Sequence, residues 1–347
     1  RALLAGTAAG AVGLSLAACG KGKKAGSQAD SKTVTVVTHD SFHVSEDLQK
    51  AFTSETGYTL KVATSGDAGA LVNKLVLTKD APLGDAVFGI DNTYATRALD
   101  QGVIDTSATV TLPKGAESYV VADTPALAPI DVGDVCLNID TGYFSGKGLK
   151  PPATFEDLTK PEYKGLLVAI NPTNSSPGMA WLLATIGHFG AGSFAGYWKQ
   201  LMANGARIAE DWSAAYETDF SGSGKGTYPI VVSYASSPSF TVSKDKSSSS
   251  TSALLDTAFR QVEYAGVLKG AANPEGGKAF VTWMLSKAVQ EDIPGQMYMY
   301  PVLPDAALPE ALTKFGPLSK SPVKVDPKEI TTHREEWLNT WTEAVGK

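Results

Sequence analysis

The stretch "TVTVVTHDSFHVSEDLQKAFTSETGYTLKVAT", residues 33–64, decides the fold class. Its β-branched beginning is typical of a buried strand. The segment that follows has the pattern of a helix, with Ser45 as the N-cap and Gly57 as the stop. Residues 59–64 then predict a second strand. Strand, helix and strand in this order indicate a β-α-β unit.

Further segments extend this unit, and a second unit follows it. "AGALVNKLVLT" (68–78) predicts a helix and "DAVFGID" (85–91) a third strand, which together predict parallel strands with right-handed crossovers. "PIDVGDVCLNID" (129–140) predicts a long strand that crosses into the second unit. The remaining predicted elements are a strand at 165–172, helices at 176–190 and 192–205, strands at 228–238 and 258–271, and helices at 276–295 and 326–347.

Two such units imply a two-lobed molecule. The chain has 347 residues, 43% of them hydrophobic, which suits about two domains. The strand 129–140 leads into the second unit and the strand 258–271 leads back to the first. Residues 33–130 and 259–347 are therefore assigned to lobe 1, and residues 131–258 to lobe 2. We therefore predict an α/β fold of two lobes with a ligand cleft between them, which closes about a hinge.

The beginning of the chain has the pattern of an export signal. Residues 1–18, "RALLAGTAAGAVGLSLAA", carry one charge followed by a small and apolar run that ends at Cys19. The segment "LAAC" resembles the bacterial lipobox, which implies cleavage before Cys19, acylation of that residue and anchoring to the outer face of a membrane. Residues 19–32 predict a flexible tether. The other cysteine, Cys136, is predicted to be a small core hydrophobe.

Charge and motifs argue against several function classes. The formal net charge is −6 at pH 7 and no basic run follows the tether, so we expect no nucleic-acid partner. "GSGKGT" (222–227) fails as a phosphate loop, because Asp219 stands where the motif needs a glycine and Gly226 where it needs Ser or Thr. His39 and His43 are four positions apart, a spacing that brings two side chains together only within a helix. Because they flank the end of a predicted strand, we expect no metal there.

Polar and aromatic residues gather just after the predicted strands. In this topology the strand ends converge on one cleft, and the mixture of aromatic rings, carboxylates and hydroxyls suits a small, flat, cationic ligand. Ser175 or Ser176 can cap the helix after "NSSPG", with Pro177 in the first helical position, and the free amides of that helix could also meet an anionic group of a ligand. The strand-end segments are 38–42, 65–69, 89–94, 171–178, 210–216, 233–240 and 297–302.

Six motifs, in order, resemble the thiamine-binding proteins of bacterial ABC importers. They are "THDSF" (38–42), "GIDN" (89–92), "SSPG" (175–178), "DWSAAY" (211–216), "SYASSP" (233–238) and "MYPV" (299–302). The resemblance spans most of residues 33–347 and implies a periplasmic-binding-protein fold, type II-like. It also implies no enzymatic reaction, no cofactor, and a lipid-anchored monomer that delivers thiamine or a thiamine phosphate to an ABC transporter permease.

The resemblance also implies which residues bind the ligand. The Asp67 carboxylate would meet the aminopyrimidine or the thiazolium, Ser175 and Ser176 would donate hydrogen bonds, and Trp212 would line the pocket. Tyr216, Asp91 and Asn92 match the pattern from positions behind these residues. The full ligand-binding set is His39, Asp67, Ala68, Asp91, Ser175, Ser176, Trp212, Tyr216, Tyr234, Ala235, Ser236, Ser237, Pro238, Phe240 and Tyr298.

Three of these residues depart from the family. The family has tyrosine at the positions of His39 and Phe240, and tryptophan at the position of Tyr298. A flat ring is kept in each case, so stacking on the ligand survives, whereas His39 adds a titratable group. A charged His39 would repel a thiazolium, so we expect thiamine binding to weaken as pH falls from about 7.5 to about 5.5.

Three alternatives remain open at this point. An iron(III)-binding importer component usually needs adjacent tyrosines, and the sequence has no Tyr-Tyr pair. A secreted serine hydrolase would need a base within hydrogen-bond distance of a serine in the cleft. A structural surface lipoprotein would have no closed cleft and no ligand-dependent stability.

Overall fold

The computed structural model describes residues 32–223 and 225–346. The predicted signal peptide 1–18, the predicted lipid anchor Cys19 and the tether up to residue 31 lie outside the described residues. Within the described ranges, no helix is long and apolar enough to cross a membrane.

The described residues contain nine strands and ten α-helices. The strands are β1 (Thr33–Thr38), β2 (Thr59–Thr64), β3 (Ala86–Asp91), β4 (Ala128–Asp140), β5 (Leu167–Ile170), β6 (Arg207–Ala209), β7 (Ile230–Tyr234), β8 (Thr251–Val267) and β9 (Tyr300–Pro301). The helices are α1 (Glu46–Thr56), α2 (Ala68–Leu77), α3 (Ala95–Asp100), α4 (Thr141–Lys147), α5 (Ser176–Phe189), α6 (Phe194–Ala203), α7 (Pro274–Met284), α8 (Lys287–Gln296), α9 (Glu310–Phe315) and α10 (Pro327–Val345).

These strands form one mixed sheet in the order β2-β1-β3-β8-β4-β7-β5-β6, with β9 beside β4. β1 pairs in parallel with β2 and with β3, so the predicted β-α-β-α-β unit is confirmed. β5 likewise pairs in parallel with β6 and β7. The middle of the sheet is antiparallel, because β8 runs against both β3 and β4.

The long strands β4 and β8 connect the two parallel groups. β4 has 13 residues and β8 has 17, and they pair from Ala128 opposite Ala265 to Asp140 opposite Thr251. Their ladder is interrupted twice: Ile130 is an extra residue on β4, and residues 255–258 of β8 lie opposite Cys136 alone. Such bulges bend a strand and redirect its side chains.

Two predicted elements are wrong in their bounds. The predicted helix 276–295 is two helices, α7 and α8, because the backbone at Ser286 is extended (φ −67°, ψ 147°) and starts a new helix there. The predicted strand 258–271 begins seven residues earlier, at Thr251, and ends at Val267. The apolar pattern continues from α7 into α8 and from Val267 into Leu268, whereas polar residues precede Thr251.

Large aromatic side chains fill the core under β5 and β7. Trp181 of α5 packs edge-on against Trp198 of α6, with ring centroids 5.2 Å apart, and Trp198 packs against Trp341 of α10 at 5.7 Å. The prediction for Cys136 is confirmed, because this residue is fully buried beside Ala235 and Ala258. This packing fixes α5, whose N-terminus borders the site described next.

Candidate functional site

A cavity of about 290 Å³ lies where β1 and β7 end and where α2 and α5 begin. Its size is close to the lower end of the range for small-molecule pockets. The lining contains aromatic rings, thioethers, hydroxyls and carboxylates. The lining residues are His39, Asp40, Ser41, Asp67, Ser176, Pro177, Trp212, Ser213, Glu217, Tyr234, Glu263, Gln296, Met297, Tyr298 and Met299.

Asp67 lies at the N-termini of two helices. Its Oδ1 accepts a hydrogen bond from the amide of Ala68, at 2.7 Å, and a longer one from the amide of Ser176, at 3.4 Å. Asp67 therefore caps α2 and also faces the positive end of the α5 dipole. Burial raises the pKa of Asp67 above its usual value, although the hydrogen bonds from Ser175 and Ala68 oppose the rise.

The structure shows which of the two serines, Ser175 or Ser176, caps α5. Ser175 is the N-cap, and its hydroxyl accepts a hydrogen bond from the amide of Gly178. Ser176 is the first helical residue, so Pro177 occupies the second helical position rather than the first. The hydroxyl of Ser176 is buried and has no hydrogen-bond partner among the described residues.

Close to the lining residues Asp67 and Ser176, α2 makes a close contact with the segment 171–174. The hydroxyl of Tyr94 donates a hydrogen bond to the carbonyl of Pro172, at 3.1 Å. A β-carbon placed on Gly69 would lie 2.7 Å from the carbonyl oxygen of Asn174 and 2.7 Å from the Tyr94 hydroxyl. Only glycine permits the helix to approach the segment this closely.

Tyr234, Gln261 and Glu263 form a hydrogen-bonded chain under the cavity. The Tyr234 hydroxyl donates to Oε1 of Gln261, at 3.3 Å, and Nε2 of Gln261 donates to Oε1 of Glu263, at 3.1 Å. Gln261 is fully buried, and Glu263 is 5% exposed. The chain holds the Glu263 carboxylate at the cavity surface.

His39 lies beside this carboxylate, with its Nε2 3.4 Å from Oε1 of Glu263. The amide of Ser41 donates a hydrogen bond to Nδ1 of His39, at 3.1 Å, and Gly89 leaves room for the imidazole ring, because a β-carbon there would overlap it. Burial lowers the pKa of His39, but the charges of Glu263, Asp67 and Asp40 outweigh burial and raise this pKa above its ordinary value.

Two more buried carboxyl groups lie behind the cavity. Asp131 of β4 is directly opposite Glu263 of β8, and both of its oxygens are buried without a hydrogen-bond partner among the described residues. Burial and the charge of Glu263 raise the pKa of Asp131 well above its usual value. Burial also raises the pKa of Asp91 to about 7, against the hydrogen bonds that Asp91 accepts from Thr93.

Aromatic rings form the opposite side. Trp212 is stacked on Tyr216, with ring centroids 5.0 Å apart and an interplanar angle of 10°, and its Nε1 donates to the Ser233 hydroxyl at 2.9 Å. Tyr298 lies against Phe240 and has a positive φ of 65°, which is uncommon for a residue other than glycine. Backbone strain of this kind often marks a functional position.

The structure brings six of the predicted site residues to the cavity surface, and the others do not line the cavity. The six are His39, Asp67, Ser176, Trp212, Tyr234 and Tyr298. Ala68, Asp91, Ser175 and Ala235 are fully buried, Tyr216 backs Trp212, and Phe240 backs Tyr298. The loop residues Ser236, Ser237 and Pro238 are also buried, and the Ser237 hydroxyl contacts the hydroxyl of Ser233.

Sequence reasoning did not name several lining residues as ligand-binding, above all Glu263, Glu217, Met297 and Met299, although both methionines lie in the predicted strand-end segment 297–302. Glu263 had a usable signal, because it is an isolated acid within a predicted buried strand. The methionines had only their place in the strand-end segment 297–302, because apolar side chains beside a strand are also typical of ordinary core packing.

The arrangement does not match the hydrolase alternative. Among the described residues, the two ring nitrogens of His39 face a backbone amide and a carboxylate, so this imidazole has no serine hydroxyl to activate. The described part of the chain also contains no group of three or more His, Cys, Asp or Glu residues placed to hold a metal ion.

Comparisons with known proteins agree with a binding role. Residues 85–316 match the family described as bacterial extracellular solute-binding protein. The thiamine-binding periplasmic protein of Salmonella typhimurium is 27% identical over 326 residues, covering 90% of this chain and 94% of that protein. The protein of the same description from Escherichia coli is also 27% identical, over 324 residues, with the same coverage.

A solved structure described as a periplasmic thiamin binding protein is similar as well. It superposes with a TM-score of 0.78 at 25% identity, over 91% of this chain and 96% of that one. The predicted α/β periplasmic-binding-protein fold, type II-like, is confirmed by this likeness. The relatives are binding proteins, and their family is not one of enzymes.

Proposed function

Because this chain belongs to the bacterial extracellular solute-binding proteins, we propose that it captures thiamine outside the cytoplasm and delivers it to an ABC importer. The observation that carries this proposal is the composition of the cavity wall. Trp212 and Tyr298 offer flat rings, Asp67 and Glu263 offer negative charge, and no Lys or Arg is among the described lining residues. A flat organic cation such as thiamine complements a wall of this kind.

The six predicted residues at the cavity surface are proposed to touch the ligand. Trp212 and Tyr298 would stack on its rings, and Asp67 would accept a hydrogen bond from the aminopyrimidine or face the thiazolium. The Ser176 hydroxyl would make the hydrogen bond that it lacks within the protein. The buried members of the predicted set would act by holding these side chains in place.

The organisation around the site is also part of the proposal. The lobes would be 33–130 with 259–347, and 131–258, and both boundaries lie within the long strands β4 and β8. A lipid on Cys19 would hold the monomeric protein at the outer face of the cytoplasmic membrane, next to the permease. The tether 19–32 would give the binding domain its freedom to reach that partner.

Thermal unfolding with candidate ligands tests the proposal. A form of the protein that begins at Ser31 would be heated alone and with thiamine, thiamine phosphates, the pyrimidine precursor or iron(III). A ligand present at about 100 times its Kd adds roughly 2.7 kcal/mol to the free energy of unfolding, which raises Tm by several degrees. A shift with iron(III) alone would support the ferric alternative, and no shift with any compound would refute the thiamine proposal.

A further inference from the structure

Glu263 has a position that the proposed binding role does not by itself explain. It lies in the middle of β8, is 5% exposed, and its carboxylate reaches the cavity surface. A buried ionised carboxylate is costly unless it is paired and hydrogen-bonded. The partners of Glu263 therefore indicate which charge suits a ligand of this cavity.

Neutral groups supply the hydrogen bonds to Glu263. The amide of Gln261 donates to it at 3.1 Å, and this amide is oriented by the Tyr234 hydroxyl. The His39 ring is the only basic group within ion-pair distance in the described part of the chain. Nδ1 of His39 accepts the Ser41 amide, which is the pattern of a neutral imidazole with its hydrogen on Nε2, although the surrounding carboxylates raise the pKa of this ring.

The other ionisable groups around Glu263 are acids. Asp131 faces it from β4, Asp91 lies on β3, Asp67 precedes α2, and Asp40 follows β1. Burial and the charge of Glu263 raise the pKa of Asp131 well above its usual value, which favours a proton on Asp131. Of the two facing carboxyl groups, that of Glu263 reaches the cavity surface.

We infer that Glu263 selects a positively charged ligand over a neutral ligand of the same shape. Arg260 and Arg334, the nearby cations in the fold, are engaged elsewhere: Arg260 pairs with Asp134, and Arg334 lies over the Tyr94 ring. The ligand supplies the missing cation, and the low dielectric of the site strengthens the interaction. A neutral ligand would cover the carboxylate without compensating its charge.

This inference rests on the proposed function and is tested by comparing thiamine with deazathiamine, in which a carbon replaces the charged thiazolium nitrogen. Calorimetry would give both Kd values for the wild-type protein. We expect thiamine to bind at least about tenfold more tightly than deazathiamine, because only thiamine places a positive charge beside the buried carboxylate of Glu263. Equal affinity for the two compounds would overturn the inference and leave the proposed function intact, whereas no binding of thiamine would refute the proposed function itself.

The variants Glu263→Gln and Glu217→Gln provide a matched pair. Each removes one negative charge from the cavity, but Glu217 is exposed to water, which screens its charge. We expect Glu263→Gln to reduce the thiamine preference to about twofold or less, with a much smaller effect of Glu217→Gln. Equal effects of the two variants would show that only the overall acidity matters and would overturn the inference.

Folding of the variants is checked by thermal unfolding without ligand. Glu263→Gln should unfold at a temperature no lower than the wild type, since it removes a buried charge beside Asp131 and keeps a side chain of the same shape. Should it fail to fold, Asp131→Asn serves as the second variant, because it keeps Glu263. Asp131→Asn must retain the preference for thiamine, and its loss there would contradict the assignment to Glu263.

Discussion

Replacing Gly69 by alanine should weaken ligand binding while leaving the fold intact. Alanine normally stabilises a helix relative to glycine by about 0.5–1 kcal/mol, so helix propensity alone predicts a more stable protein. The added β-carbon, however, would lie 2.7 Å from the backbone oxygen of Asn174, which is 0.7 Å closer than the 3.4 Å at which ordinary contacts begin. A backbone oxygen cannot rotate away, and the Tyr94 hydroxyl on the other side is held by Pro172.

The cost of this overlap falls on the contact that positions Asp67 and Ser176, which line the cavity. Overpacking typically costs about 1–3 kcal/mol, which corresponds to a rise in Kd of roughly 5-fold to 140-fold. Calorimetric titration with thiamine would measure the change in Kd, and Tm without ligand would show whether the fold is destabilised.

Gly196→Ala is the matched control. Gly196 lies inside α6, and a β-carbon there would meet nothing within 4 Å. It should raise Tm slightly and leave Kd unchanged. If Gly69→Ala bound thiamine as tightly as Gly196→Ala does, the close contact between α2 and the segment 171–174 would not belong to the binding state, and the reasoning would be refuted.

Three more predictions concern titration and stability. Thiamine affinity should fall from about pH 7.5 to about pH 5.5, because lower pH favours the charged form of His39, whose pKa is raised, and that charge repels the thiazolium. Calorimetry of His39→Phe should give a flat profile, and an equal loss there would contradict the role of the imidazole. The pKa of Asp91 is about 7 in the folded protein and about 3.9 in the unfolded chain, so the fold favours the protonated form. The contribution of Asp91 to the free energy of unfolding is therefore fully present below about pH 4 and is lost as pH rises through about 7. Denaturant unfolding of the empty protein should therefore show a shallower decline from pH 4 to pH 8 in Asp91→Asn, and an unchanged slope would count against this linkage. Arg260→Met should lower the free energy of unfolding by about 3 kcal/mol in urea titrations, because it leaves the fully buried Asp134 without its bidentate partner. Lys160→Met, which removes an exposed ion pair, is the control, and an equally small loss in both variants would contradict this prediction.

The sequence predicts the fold and the neighbourhood of the site where local patterns are strong. Strands β1 to β3 follow from β-branched runs with Gly57 and other turn residues between them, and the start of α5 follows from Ser175 and Pro177. The cavity lies where the strand-end argument places it, because parallel strands end at one edge of a sheet.

Longer-range features could not be predicted from the sequence. Asp131 and Glu263 are 132 positions apart in the numbering, and their juxtaposition depends on the register of β4 against β8. That register is set by a bulge at Ile130, and the adjacent Pro129 signals an irregular strand there without specifying which residues face each other. The break between α7 and α8 was missed because apolar spacing runs through it, and the positive φ of Tyr298 depends on tertiary contacts.

The bulge at residues 255–258 has a consequence for how this protein can change over evolution. Side chains alternate along a strand, so an insertion in a continuous ladder would exchange the two faces of every residue beyond it. Residues 255–258 have no one-to-one partners on β4, and the ladders on either side keep separate registers. A change in length there would leave Glu263 directed at the cavity. The two parts of the sheet can therefore diverge in sequence independently, while the side chains of the site stay on the same face.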